Sequence, residues 1–180
     1  MPRPEVRVVV LFEDQAQECF LRHLAKRLGL RPLRFENCQN NVGVLQRLGR
    51  EVDALRERSF QKNLGLVVVI DADDKGLQGR VAELLARLEA DAGAGGRGDA
   101  ERIALVVPAR EIENWYVHLC VPAARPIDET HDYKPTPEWR TLAKDLGGAA
   151  KQAVAAWAPE VGRLDPPSLS AAREEVARVS

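Results

Sequence analysis

The chain has 180 residues, of which 45% are hydrophobic and 29% charged, and its formal net charge is -1. These values fit an ordinary globular domain and exclude a protein that coats nucleic acid through general positive charge, although a local basic groove stays compatible. No apolar run reaches the length of a membrane span, and the N-terminus lacks a signal-peptide pattern. We therefore expect a cytoplasmic protein without a membrane partner.

The first two thirds of the chain alternate between short apolar runs and amphipathic segments. The predicted strands are Val6–Phe12, Pro32–Phe35, Leu66–Ile70 and Ile103–Val107, and the predicted helices are Gln15–Leu30, Val42–Leu55 and Leu77–Leu88. A glycine-rich stretch over 91–99 predicts a surface loop. Strands that alternate with helices indicate a mostly parallel sheet flanked by helices, which is a Rossmann-like α/β fold.

From Val121 the composition changes, because four prolines punctuate a loop-rich stretch before two further apolar-periodic segments. The periodicity predicts helices over Glu138–Trp157 and Ser168–Val179. The sequence thus divides into a core over residues 1–120 and a helical C-terminal extension over 121–180, which we expect to pack on the core.

The third strand ends abruptly in carboxylates at Asp71, Asp73 and Asp74. If the extended conformation continues past Ile70, Asp71 and Asp73 point to the same side of the strand, since side chains alternate with a period of two. Two adjacent carboxylates repel unless they share a cation or a proton. The alternative is a simple turn in which the aspartates cap the following helix.

Acidic residues also follow the first and fourth predicted strands, at Glu13 and at Glu111 and Glu113. The carboxyl ends of parallel strands lie at one edge of the sheet, where ligands of α/β proteins collect. Carboxylates that converge there are hard oxygen ligands suited to Mg²⁺ or Mn²⁺. Glu113 has the alternative role of a solvated residue in the first turn of a helix, where a negative charge is favourable.

Three motifs resemble those of Toprim domains, and in particular the nucleases of the overcoming-lysogenization-defect (OLD) type and their small relatives in phage defence. They are the strand that runs into Glu13 with its turn and helix over 10–21, the Asp-x-Asp pattern over 69–73, and the Glu-bearing segment over 108–115. The resemblance covers roughly residues 5–120. Two positions depart from the pattern: Asp14 stands in place of a turn glycine, and Gln17 in place of a second acid.

The resemblance implies roles for individual residues. Glu13, Asp71 and Asp73 would bind a first metal, with Glu13 also placed to transfer a proton, and Glu113 would complete a second metal site. Because Gln17 is not an acid, either Glu18 or Asp14 substitutes or one metal site is weakened. Glu111 is a further candidate ligand.

A phosphate-transfer site also needs positive charge, and Lys134 in the proline-rich segment is the main candidate for stabilising the transition state. The tail of the related nucleases carries a similar Tyr-x-Lys stretch. Arg110 and Arg140 are candidates for contacts with backbone phosphates. For all three, an exposed surface side chain is the alternative. Trp115 is expected in the core unless it is exposed, in which case it could stack on a base.

The sequence favours a Mg²⁺- or Mn²⁺-dependent nuclease that acts on DNA or RNA, and the resemblance implies a phage-defence effector that works with an ATPase partner. A non-catalytic Toprim-like interaction module is the alternative. Receiver and haloacid-dehalogenase-type phosphatase domains also gather aspartates at strand ends, but they fit the residues after Asp73 and Val107 less well. No motif indicates the oligomeric state.

Overall fold

The computed structural model describes residues 6–58, 63–91 and 96–180. Within these ranges, four strands form one parallel sheet in the order β2-β1-β3-β4. The strands are β1 (Arg7–Phe12), β2 (Arg31–Asn37), β3 (Leu64–Val69) and β4 (Ile103–Val106). The helices are α1 (Gln15–Arg27), α2 (Asn41–Glu57), α3 (Gly76–Asp91), α4 (Ile112–Cys120), α5 (Pro137–Leu142), α6 (Leu146–Ala155) and α7 (Pro167–Ala177). The predicted α/β class, with a parallel sheet flanked by helices, is confirmed.

The sheet is buried on both faces, which explains why β3 is a continuous aliphatic run rather than an alternating one. Every residue of β3 is buried. Val67 and Val69 belong to a cluster with side chains of α1, α4, α6 and α7, whereas Val68 and Ile70 pack with α2 and α3 on the other face. The described fold is therefore three-layered around its central strand.

The strand order places a topological switch point between β1 and β3. Helix α1 connects β1 to β2 on one face, and α2 connects β2 back past β1 to β3 on the opposite face. In open α/β sheets, ligands bind outside the carboxyl ends of the two strands at such a point, because the diverging connections leave a crevice there. Glu13 follows β1 directly, and Asp71 lies two residues after the end of β3.

Most sequence-based boundaries differ from the structure by one to three residues, and two differences change the assignment of an element. The helix predicted over Glu138–Trp157 is divided into α5 and α6 by a 3₁₀ turn over Ala143–Asp145. Asp145 caps α6 by accepting a hydrogen bond from the backbone N–H of Gly148 at 2.9 Å, so the second helix has its own start. Asp91 ends α3 instead of opening a loop, and residues 92–95 of that predicted loop lie outside the described residues.

The C-terminal helices share the core of the sheet. Ala150 and Ala153 of α6 and Leu169 and Val176 of α7 belong to the same buried cluster as β1. Glu175 of α7 also accepts a hydrogen bond from the backbone N–H of Leu105, which covers the outer edge of β4. Among the described residues, no helix combines the length and apolar character needed to cross a membrane.

Candidate functional site

Glu13 and Asp71 meet at the switch point. The Glu13 carboxylate accepts a hydrogen bond from the backbone N–H of Asp71 at 2.6 Å, which joins the ends of β1 and β3. The turn after β1 is fixed by Gln17, whose side-chain oxygen accepts from the backbone N–H of Glu13 at 2.9 Å. Asp14 caps α1 by accepting from the backbone N–H of Gln17. Gln17, one of the two positions that depart from the pattern of Toprim domains, is fully buried and positions Glu13.

Asp71 is buried, with 5% of its surface exposed. One of its carboxylate oxygens accepts a hydrogen bond from the backbone N–H of Ile112, the first residue of α4, at 3.1 Å. Burial raises the pKa of Asp71 well above its ordinary value, and the negative charges of Glu13 and Glu113 raise it further. The positive charge of Lys134 acts in the opposite direction but does not outweigh these effects.

Asp73 does not continue the strand, so the condition under which Asp71 and Asp73 would point to one side is not met. Asp73 opens a 3₁₀ turn with a φ of 51°, in the left-handed region that non-glycine residues seldom adopt. Its backbone N–H donates to the carbonyl oxygen of Arg110 at 3.0 Å, which fixes the turn against the segment after β4. A contact with a residue distant in sequence, rather than the alternation of side chains along a strand, therefore sets the direction of Asp73.

The Asp73 carboxylate faces Arg80 and Asn41, which donate to it at 3.0 and 3.2 Å. Arg80 is 2% exposed and also donates to the carbonyl oxygen of Asp71 at 2.9 Å and to Glu83 at 2.6 Å. A buried guanidinium thus links the turn after β3 to α3. The negative charge of Asp73 also acts on Glu13, because it is among the charges that raise the pKa of Glu13.

Glu13 titrates abnormally in this setting. Burial raises its pKa from 4.5 to about 6, although the hydrogen bond from the Asp71 backbone acts in the opposite direction. The negative charges of Asp73 and Asp14 add to the increase, and Arg80 offsets part of it. A carboxyl group poised near neutral pH is suited to accept or donate a proton.

Glu111 and Glu113 reach the same edge from the start of α4. Glu113 is 3% exposed, and its Oε2 atom has no hydrogen-bond partner. Burial raises the pKa of Glu113 to about 7 even though the neighbouring Lys134 lowers it. Glu111 precedes α4 without capping it through its side chain, and its Oε2 atom is likewise buried and without a partner. The two side chains thus present unpaired oxygens inside the protein.

Lys134 lies against both of these glutamates. Its Nζ atom is 2.9 Å from Glu111 Oε1 and 3.7 Å from Glu113 Oε1. Asn114 of α4 holds the segment that carries this lysine, because its side-chain N–H donates to the carbonyl oxygens of Glu129 and His131 at 3.0 Å each. The structure therefore brings Lys134 of the C-terminal segment into the acidic cluster.

The other predicted residues lie differently. Glu18 pairs with Arg22 on the exposed surface of α1 at 2.6 Å, Arg110 pairs with the exposed Asp74, and Arg140 is exposed on α5. Trp115 is fully buried and donates to the Ser168 hydroxyl at 2.8 Å, so it is a core residue. The sequence did not predict the positioning roles of Gln17, Arg80 and Asn114. The one signal for them in the sequence is a polar residue on an otherwise apolar face of a helix.

The donor chemistry fits a hard divalent cation, which prefers carboxylate oxygens. Glu111 and Glu113 each have a buried carboxylate oxygen without a partner, and the pKa values of Glu13 and Glu113 are raised to about 6 and about 7. The geometry is less complete. Within the described ranges, no group of three or more Asp, Glu, His or Cys side chains is arranged so that it could hold a metal ion. Instead, the Glu13 carboxylate contacts the backbone N–H of Asp71, and Glu111 and Glu113 lie on either side of the Lys134 ammonium group.

The fold and this edge together define an α/β protein with an acidic site at the switch point of a parallel sheet. No family model matches the chain, and neither a curated protein nor a solved structure matches it with significance. The resemblance to the Toprim nucleases consequently stays a prediction from the three motifs.

Proposed function

We propose that this protein is a divalent-metal-dependent phosphodiester hydrolase, a nuclease that acts on DNA or RNA. The observation that supports the proposal best is the convergence of Glu13, Asp71 and Glu113 beside Lys134 at the switch point. These groups come from three separate strand ends and from the C-terminal segment. A purely structural acidic turn would not need residues from so many parts of the chain.

The electrostatics of the cluster support a cationic ligand. Asp71, Glu13 and Glu113 all have raised pKa values, and burial is the first cause in each case. Mg²⁺ or Mn²⁺ held by Glu13 and Asp71, with Asp14 or Asp73 as further ligands, would satisfy the ionised forms. Such an ion, when bound, would polarise the phosphodiester and lower the pKa of an attacking water.

The chain's own residues have assigned roles in this proposal. Glu13, at the end of β1 beside Asp71, accepts or delivers a proton in this proposal, as the resemblance to Toprim domains implies. Lys134 stabilises negative charge that develops on the phosphate, because it is half-exposed at the mouth of the cluster and retains its positive charge there. An ATPase partner and a role in phage defence are part of the same proposal and depend on the Toprim resemblance alone.

Cleavage assays test the proposal directly. Plasmid, single-stranded DNA and RNA are incubated with wild-type protein and with Asp71→Asn, in the presence of Mn²⁺, Mg²⁺ or EDTA. Loss of an outer partner of a metal ligand typically costs about 10- to 100-fold in affinity or activity, so loss of Asp71 itself should cost more than about 100-fold. Asp53→Asn, an exposed change on α2, is the matched control and should cleave as the wild type does.

A non-catalytic interaction module is the second candidate. It is favoured by the pairing of Glu111 and Glu113 with Lys134 and by the lack, within the described ranges, of a three-carboxylate group that could hold a metal. Wild-type protein that neither binds Mn²⁺ in calorimetry nor cleaves any of the three substrates would favour this module over the nuclease.

A further inference from the structure

Lys134 occupies a position that a cation would otherwise take. Its ammonium group lies 2.9 Å from Glu111 Oε1 and 3.7 Å from Glu113 Oε1, and the second oxygen of each glutamate is buried without a partner. Glu113 is 3% exposed, so its unpaired oxygen lies inside the protein rather than in solvent. An ionised carboxylate in such a place requires a nearby positive charge.

Hydrogen bonds from neighbouring segments fix the backbone that carries Lys134. The Asp132 carboxylate accepts a hydrogen bond from the backbone N–H of Lys134 at 2.9 Å, which shapes the turn before the proline. Asn114, which is 2% exposed, anchors the preceding backbone at Glu129 and His131. Because Asn114 and Glu113 are adjacent on α4, the lysine and its acidic partner are positioned by the same helix.

The two acid pairs of the cluster differ in how they are neutralised. Among the described residues, the hydrogen bonds given to the carboxylates of Glu13 and Asp71 come from backbone N–H groups. The pair of Glu111 and Glu113 has the lysine. The Lys134 side chain is 45% exposed and its ammonium group is 2.9 Å from Glu111 Oε1, so both water and a carboxylate solvate its positive charge.

We propose that the ammonium group of Lys134 takes the place of a second divalent cation at Glu111 and Glu113, so that the protein binds a single divalent ion, at Glu13 and Asp71. This inference rests on the proposed metal-dependent function. It also accounts for the carboxylates that meet in pairs, since one pair already has its cation within the chain.

The number of bound Mn²⁺ ions tests this assignment without reference to activity. Calorimetric titration and electron paramagnetic resonance of free Mn²⁺ are applied to wild type, Lys134→Met and Lys134→Arg. Wild type and Lys134→Arg should bind one ion, because both keep the positive charge, whereas Lys134→Met should bind two. Lys144→Met, a change of an exposed lysine in the turn before α6, is the matched control and should bind one ion.

A second variant identifies where the additional ion binds. Adding Glu113→Gln to Lys134→Met should return the count from two ions to one, because the vacated pair then has only one carboxylate. Thermal unfolding followed by circular dichroism checks that each variant is folded. Lys134 is 45% exposed, so its replacement should leave the fold intact.

The outcomes separate this inference from the nuclease proposal. Two ions in wild type, or an unchanged single ion in Lys134→Met, would overturn the role of Lys134 and leave metal-dependent cleavage standing. No ion in wild type but one in Lys134→Met would support the lysine as a built-in cation while overturning the metal-dependent function. No ion in either protein would overturn both.

Discussion

Replacing Glu113 by glutamine is expected to stabilise the metal-free protein at neutral pH. Burial raises the pKa of Glu113 from 4.5 to about 7 in the folded state. Each pH unit between the folded and unfolded values is worth about 1.4 kcal/mol, so the ionised carboxylate lowers the free energy of unfolding by about 3 kcal/mol. Glutamine has nearly the same shape and carries no charge, and it removes this cost.

The sign follows from proton binding. Below pH 4.5 the carboxyl is protonated in both states and Glu113 costs nothing. Between pH 4.5 and about 7 the folded state holds a proton that the unfolded state has lost, so wild-type stability falls as pH rises. Above pH 7 both states are ionised and the full cost is present. The advantage of Glu113→Gln should therefore grow from near zero at pH 4.5 to about 3 kcal/mol at pH 8.

Urea unfolding in EDTA, at intervals from pH 4.5 to pH 8, measures this difference. In thermal unfolding at pH 8, the melting temperature should rise by about 6 to 12 °C, given about 2 to 4 °C per kcal/mol for a chain of this size. Glu138→Gln, an exposed change on α5, is the control and should stay within about 0.5 kcal/mol of wild type at every pH. A pH-independent effect of Glu113→Gln, or a loss of stability at pH 8, would refute the assignment of Glu113 as an undercompensated buried acid.

Two further predictions concern other buried charges. Arg80→Ala should lower the free energy of unfolding by about 3 kcal/mol, because the Asp71 carbonyl loses its buried donor and the carboxylates of Asp73 and Glu83 lose a partner. Urea unfolding measures this loss, with Arg140→Ala as the control. A loss below about 0.5 kcal/mol would contradict the prediction. Burial opposes ionisation of Asp165, but hydrogen bonds from Arg163, Arg173 and His118 outweigh it and lower its pKa to about 2. Asp165→Asn should therefore cost at least about 2 kcal/mol above pH 4, and this cost should shrink as pH falls towards 2; a cost that is constant with pH would argue against the depressed pKa.

Much of the fold was predictable because its determinants are local. Five aliphatic residues in succession mark β3 as a strand buried on both faces, and its position between amphipathic helices implies parallel pairing. Parallel pairing alone then brings Glu13 and Asp71 to one edge. The hydrogen bond from the Asp71 backbone N–H to the Glu13 carboxylate, at 2.6 Å, is a detail that the structure adds to this prediction.

The rest depends on contacts between distant segments. Asp73 leaves the strand direction because its backbone bonds to Arg110 and its side chain bonds to Arg80, and neither partner has a periodic signature. The pairing of Lys134 with Glu111 requires the anchoring of its segment by Asn114, 20 residues away in the chain. Sequence periodicity reports which face is buried, but it does not report which polar side chain meets which.

A comparison of two buried acidic centres in this protein supports a ligand-binding role for one of them. Asp165 receives hydrogen bonds from two arginines and a histidine, and its pKa is lowered, so its charge is compensated within the chain. The cluster around Asp71 has the opposite balance, because Asp71 and Glu113 both have raised pKa values beside one lysine. Because Lys134 already lies beside Glu111 and Glu113, the acids without such a partner are Glu13 and Asp71, whose carboxylates accept hydrogen bonds from backbone N–H groups. The divalent cation that we propose would bring positive charge from solution to these two carboxylates.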